Sequence, residues 1–515
     1  MVKKIDEKRK LEEAYCQECG SLGMKRYHKN TPDRRKLYQC QTSRKCRPVL
    51  KVCYEKPQIL PEFDASRVKK TSRVILSAVL NDTPIVKDFD KTLRRMEKEL
   101  DAELVYGLIR YKNPDAKNPA FSFNYTWPEE ILDKSCEVDL KIGPGWWARG
   151  ENVMNYTDIN PLSGMNHAGG TDSEIFFSPQ VALQSVPTRH GQESKLLMTT
   201  GTISRENYSK TKRGKKAKFH HSLSALYIEF DEKGRAYPTQ IHWDGKGCYL
   251  YGRYFHPRGS SRSKTTQAIV FGDIHKHFLS KKEEIGLHML ADSLNPHLNI
   301  FGDLHHHVDS HHTRGSVKHN LKREHNPRTR VEAELKEAVE FLRSWKNPHI
   351  VESNHDDHLE KWLDRFDPTK DKESSLYWWL GHHMDLDIQA GGNGNLLRIY
   401  LEHHCDFVVD FIHANDGFMI GPILMDQHGN RGPNGSRGSA QSFAKTGHKM
   451  IVGHGHSPCI EKGCYMVGVA AMHQDYAEGM GSWRSMHAVL YDNHKRALVQ
   501  VYDDNVPPTL LKLAA

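Results

Sequence analysis

The chain has 515 residues, 37% of them apolar and 27% charged, with a formal net charge of +9. That length predicts about two to four domains, and no apolar run reaches the roughly eighteen residues of a membrane span, which leaves membranes off the list of partners. The basic surplus suits an anionic partner such as nucleic acid, although plain solubility would produce the same balance.

Residues 1–15 read as a charged lead-in. They lack the apolar core of a secretory signal, so a cytoplasmic location and reduced thiols are expected. Residues 16–56 hold CQECG and YQCQTSRKC, that is Cys16-x2-Cys19 and Cys40-x5-Cys46. Two such knuckles supply four thiolates for one tetrahedral structural zinc. The second spacing is wider than the usual two residues, and Cys53 is an alternative ligand. The intervening MKRYHKNTPDRRKLY is basic with interleaved aromatics. It fits a ribbon facing nucleic acid, and a simple folding staple would look alike.

KPQILPEF reads as a linker. Residues 66–258 then predict a mixed α/β domain. RVILSAVL is an apolar strand. KDFDKTLRRMEKELDAE puts Phe89, Leu93, Met96 and Leu100 on one helical face, and LVYGLIRYKNP returns as a strand, completing a β-α-β unit. SKTKRGKKAKFHH, with six lysines and arginines, is expected as a charged loop, either simply solvated or tracking phosphates. SALYIEF and YPTQIHW predict a hairpin. No catalytic motif stands out in this segment.

The texture changes over residues 265–515, and of 33 histidines all but six lie beyond residue 255. QAIVFGDIH, HLNIFGDLHHH, PHIVESNHD, FMIGPILMDQHGN and HKMIVGHGHSP share one form: a short apolar run ending in Asp, Asn or His, often beside Gly. RVEAELKEAVEFLRSW is an amphipathic helix between them, and MHAVLYDNHKRALVQVYD is a terminal hairpin. Alternating strands and helices predict an α/β layer with ligands at strand ends. Those ends offer Asp273, His275, Asp303, Asn354, His355, His428, His454 and His456. Oxygen and imidazole donors without thiolate suit manganese, iron or zinc. Seven of the eight suffice for two neighbouring cations, roughly 3.5–4 Å apart, provided one carboxylate bridges them.

The series D-x-H, G-D, N-H-D, a lone His after a strand and G-H-x-H resembles the calcineurin-like metallophosphoesterase superfamily. The resemblance implies an α/β fold: a β-sandwich flanked by helices over 265–515, preceded by the mixed domain and the small zinc ribbon. It further implies that Asp273, His275 and His456 hold one metal and Asn354, His428 and His454 the other. Asp303 would bridge, and His355 would contact phosphate and protonate the leaving oxygen. A water acidified by the two cations would be the nucleophile, and Asp356 or Asp357 would orient His355. Two positions depart from the pattern: His306 replaces the second acid of G-D-x-x-D, and Ser353 replaces the glycine of G-N-H. The paired histidines His382, His383 and His403, His404 are rivals to His428. His306, His307, His311, His312 and Arg314 would lie on the loop leaving the metals, either touching substrate or forming a polar rim.

VILSAVLNDTPI, IRYKNP, NPLSGMNH, TTGTISRENYS and GDLHHH carry a narrower resemblance, to phage-encoded metallophosphoesterases of the DNA-repair-exonuclease type. They are also similar to the pre-early host-DNA-degrading proteins of large siphophages. This resemblance implies a manganese-dependent DNase acting on host DNA in the infected bacterial cytoplasm. A homo-oligomer is compatible with it. Two other readings stay open: a protein or small-molecule phosphatase on the same centre, and a nucleic-acid-binding protein with a purely structural metal.

Overall fold

Strand Thr266–Val270 and its neighbours divide their side chains between two cores, and this division sets the architecture. A computed structural model of the chain describes residues 60–111, 125–151, 154–155, 157–167, 170–263, 265–306, 330–369, 373–414, 416–474 and 477–514, with 14, 16, 21–26, 38–42, 45, 58, 321 and 325. Among these residues the fold is mixed α/β, with several mixed sheets.

A six-stranded sheet runs in the order Asp410–Ile412, Pro348–Val351, Pro296–Phe301, Thr266–Val270, Met486–Leu490, Arg496–Gln500. The first four strands are parallel and the last two antiparallel, so the terminal hairpin read from the sequence forms one edge. One face presents Ile269, Phe271, Phe301, Ile350, Val489 and Val499 to helices Lys281–Leu294, Val331–Arg343, Asp356–Arg365 and Leu396–His404. The other presents Ala268, Val270, Ile300, Val351, Ala488 and Leu498 to a second sheet. Burial on both faces accounts for the near-continuous apolar runs of these strands.

The second sheet has ten strands. At one end are the short pairs Met419–Ile420 and Ile423–Leu424, then Lys449–Val452, Cys464–Met466 and Cys459–Glu461; beyond them follow Leu183–Val186, Lys195–Thr199, Ser173–Phe176, Trp146–Arg149 and Leu140–Gly143. The join is antiparallel, Cys459 opposite Gln184 and Ile460 opposite Leu183. The sheet therefore runs across the division between 66–258 and 265–515 drawn from the sequence. Periodicity assigns a residue to a strand, but it does not name a partner so distant in the chain.

The β-α-β unit forms as read. Arg73–Leu80 lies parallel to Glu103–Ile109, and helix Lys87–Leu100 between them buries Phe89, Leu93, Met96 and Leu100. The hairpin Ser224–Phe230 with Ala236–His242 joins the same five-stranded sheet. Gln240 Oε1 accepts from the Leu498 amide at 2.9 Å, tying this sheet to the edge of the six-stranded one.

The basic run after residue 209 is not a loop. Lys212–Phe219 is helical, with the Thr211 hydroxyl accepting from Gly214 N at 3.2 Å and Gly214 and Ala217 turned inward. Lysine is a good helix former and threonine a good N-cap, so local preference makes a helix where the run of charges was read as a solvated loop.

Near the N-terminus, Met24–Arg26 pairs antiparallel with Tyr38–Cys40, and Cys16 and Cys40 are buried with Ala14 and Met24. Cys19, Cys46 and Cys53 lie outside the described residues. No described helix is long and apolar enough to cross a membrane.

Gly107 illustrates how tightly two of the sheets meet. A Cβ built there falls 2.0 Å from Phe177 Cγ, so the ring lies directly on the glycine backbone. Gly107→Ala should cost about 1–3 kcal/mol through overpacking, read from the denaturant midpoint. Combining it with Phe177→Leu should cost less than the sum of the two single changes.

Candidate metal centre

Two parallel strands end in stacked aromatics. Phe271 and Phe301 lie 5.0 Å apart at an interplanar angle of 9°, both fully buried. The chain after each is thereby fixed, and the two exits are stitched together. Ile274 N donates to Gly302 O, His275 N to Asp303 O at 2.8 Å and Lys276 N to Leu304 O. Asp273 is also pinned from the third side, its N–H donating to Gly468 O and its carbonyl accepting from Ala470 N. The ten-stranded sheet contributes His428, after Ile423–Leu424, and His454 and His456, after Lys449–Val452. Gly453 N donates to His428 O, and His454 N donates to Asp273 Oδ1 at 3.1 Å. The centre thus sits where the exits of two facing sheets converge.

Close convergence demands glycine at two points. A Cβ at Gly453 would meet Asp273 Oδ1 at 2.5 Å, and one at Gly302 would meet His428 Nδ1 at 2.9 Å. His275, Asp303, His454 and His456 themselves have positive φ of 44°, 43°, 69° and 52°. A left-handed backbone costs a non-glycine residue on the order of 1 kcal/mol or more, and clustering of such residues marks a functional site.

Seven of the eight residues read at strand ends, joined by His306, fall into three overlapping groups, in each of which the candidate ligand atoms lie within 4.8 Å of one another. Asp273, His275, Asp303 and His456 form one, Asp303, His428 and His454 another, and His275, His306 and His355 the third. His275 Nε2 is 3.0 Å from His456 Nε2, and His456 Nε2 is 3.2 Å from Asp273 Oδ2. Asp303 belongs to two groups. Its Oδ1 lies 3.2 Å from His428 Nε2, and its Oδ2 lies 3.8 Å from both His275 Nε2 and His355 Nε2. Asn354 precedes His355 at the start of helix Asp356–Arg365.

Donor chemistry and burial fit a cation. Among the described residues, Asp273 Oδ2, Asp303 Oδ1, Asn354 Oδ1 and His428 Nε2 are buried without a hydrogen bond. Leaving that many buried polar atoms without a hydrogen bond is expensive, and a cation would meet them. The charges lean on one another instead. Burial works to lower the His428 pKa, but Asp303 and Asp273 overcome it and push it up to about 9. Burial, followed by the neighbouring His355, holds His275 well below the ordinary histidine value. For Asp303 burial works upward, and His355 and His428 outweigh it, holding the carboxyl well below its usual range.

Surrounding residues depart from expectation in three ways. Asp356 does not orient His355: its carboxylate accepts from Ser353 N at 3.0 Å and Ser353 Oγ at 3.3 Å, and burial pushes its pKa up to about 7. Asp357 faces Arg431 at 3.4 Å. Ser353 thus fills the glycine position as a turn-forming side chain, its Oγ also accepting from His355 N. His306 is buried rather than on a rim, with Nδ1 3.4 Å from His275 Nδ1. His307, His311, His312 and Arg314 lie outside the described residues. The rivals to His428 sit elsewhere: His383, His403 and His404 bond backbone carbonyls of their own helices and pack around Trp379.

Three neighbours complete the surroundings; His305 was read from the sequence only as part of the loop leaving the metals, and His358 and Trp483 were not singled out. His305 is buried with Nε2 3.1 Å from His355 O, His358 packs its ring 4.7 Å from that of His355, and Trp483 meets His456 edge-on at 4.6 Å. The three-residue spacing of His355 and His358 on one helix was a usable signal; Trp483 gave none.

Over 460 residues the chain is 27% identical to Protein A1 of Escherichia phage T5, covering 84% of this chain and 82% of that protein. No protein-family model matches the chain, and no solved structure is significantly similar to it.

Asp303→Ala should lose at least one bound cation, measured by elemental analysis after gel filtration; unchanged stoichiometry would remove Asp303 from the ligand set. His428 must shed its proton to bind metal. Divalent-cation affinity should therefore rise with pH up to about 9, the His428 value, with proton release detectable by calorimetry in buffers of different ionisation enthalpy.

Proposed function

We propose that the chain is a two-metal phosphodiesterase that hydrolyses DNA in a phage-infected bacterial cytoplasm. The observation that carries this reading is the two-sided Asp303, which turns one oxygen to His428 and the other to His275 and His355. A carboxylate placed in this way suits the bridge that two adjacent dications need. Similarity to a phage protein across most of both chains adds to it, as does the ordered motif series of the metallophosphoesterase type.

Asp273, His275 and His456 would hold one cation and Asn354, His428 and His454 the other, with Asp303 between; manganese suits this mixture of imidazole and oxygen donors. Bound there, the pair supplies Lewis-acid charge to the phosphoryl oxygens and lowers the pKa of water. The remaining work falls to the chain. His355, buried with its Nε2 toward Asp303, would orient the phosphate and pass a proton to the leaving oxygen. Arg431 and Arg437 are on the turn that follows His428, where guanidinium groups can meet phosphates. His306, His307, His311, His312 and Arg314 are proposed to complete the substrate path. Cys16, Cys19, Cys40 and Cys46 are proposed to hold one structural zinc.

Purified protein with manganese should degrade plasmid DNA while leaving para-nitrophenyl phosphate and a phosphopeptide intact. Monoester turnover without DNA loss would make the protein a phosphatase, and metal binding without either activity would leave a binding protein. His355→Ala should keep its metals and slow DNA cleavage by roughly 10²–10⁴-fold, the range for losing an acid–base group. Full activity in that variant would exclude the assigned role.

A further inference from the structure

Helix Lys212–Phe219 is held to the body by its smallest residues. Gly214 and Ala217 are the buried ones, and a Cβ at Gly214 would fall 2.0 Å from Ser209 O. Every long side chain of the helix consequently points to solvent. Arg213 pairs with Asp158, but among the described residues none of Lys212, Lys215, Lys216 and Lys218 pairs with a carboxylate. At the C-terminal end Phe219 is 79% exposed, its ring edge-on to His220 at 5.0 Å. Lys212, Lys215, Lys216, Phe219 and His220 line a shallow depression of about 450 Å³. The core has no use for this aromatic, and no described acid offsets these lysines.

We infer that this helix is a secondary binding surface for single-stranded DNA, with the lysines on successive phosphates and a base stacked on Phe219. The inference rests on the nuclease reading above. Cationic side chains tracking a backbone beside a bare aromatic face are what sequence-tolerant strand binding requires. A lipid surface fits less well: two helical turns with one large apolar side chain cannot supply the apolar stripe an interfacial helix needs. The surface is separate from the metal centre. Lys462, whose ammonium acts together with burial to lower the His220 pKa, precedes strand Cys464–Met466. That strand is parallel to Lys449–Val452, which leads to His454 at its other end. His220, at the end of the helix, is therefore near the end of these strands opposite to the one that leads to His454.

The test uses the full chain carrying Asp303→Ala, so that DNA is bound without being consumed, with a fluorescent single-stranded oligonucleotide titrated across a salt series. Lys212→Gln, Lys215→Gln and Lys216→Gln together should weaken binding at least tenfold. They should also flatten the plot of log affinity against log salt by about two, at about 0.7 for each phosphate no longer neutralised. Phe219→Ala should weaken single-strand binding by roughly 5- to 100-fold, leave the salt slope unchanged and affect duplex binding little. Thermal unfolding checks that each variant is folded. Unchanged affinity in both folded variants, while the parent binds DNA, overturns this inference and leaves the nuclease reading standing. A wild-type chain that neither binds nor cuts DNA defeats both. Loss of binding to phosphatidylserine vesicles with DNA affinity unaltered would reassign the helix to a membrane and overturn the inference as well.

Discussion

Two buried carboxylates surrounded by imidazoles form the interaction on which the rest of the molecule is organised. Asp273 and Asp303 are almost wholly shielded from water, and each keeps an oxygen without a hydrogen bond among the described residues. Their charge is offset within the protein by the raised proton affinity of His428. Such an arrangement is costly as a folding device, because apolar residues of similar volume would bury more favourably. Its persistence makes sense when an external cation completes the balance, and the strained backbones of His275, Asp303, His454 and His456 point the same way.

Holding that cluster explains the architecture. The six-stranded sheet delivers Asp273, His275, Asp303 and His355 from neighbouring parallel strands, while the ten-stranded sheet delivers His428, His454 and His456 from the opposite side. Face-to-face packing of the two sheets sets the gap, and stacked Phe271 and Phe301 fix the point where the first set leaves its sheet. Glycines 302 and 453 allow the two sets to approach closely.

Much of this was legible in the sequence because the informative features are local. A short apolar run ending in Asp or His states both the strand and the candidate position, and Asp273, His275, Asp303, His355, His428, His454 and His456 come together in groups that could hold a metal ion. Amphipathic spacing likewise identified Lys87–Leu100 and its buried face. What could not be read depends on partners. Nothing in SNHDD says that Asp356 serves Ser353 while, among the described residues, Nδ1 of His355 goes without a hydrogen bond. Nothing near Ile460 names Leu183 as its neighbour. The basic helix escaped a reading by charge, which suggested a solvated loop, because a threonine cap and two small inward residues decide the matter.

The seam between Cys459–Glu461 and Leu183–Val186 has a consequence for biosynthesis. The segment carrying Leu183 leaves the ribosome long before its partner exists, so that edge must wait, unpaired, while most of the remaining chain is translated. Pairings of such long sequence separation form slowly and leave open backbone that invites association. Correct assembly of the cluster is therefore a late event, completed only after the C-terminal third has emerged, and a nascent or truncated product would lack the His428, His454 and His456 side of the centre.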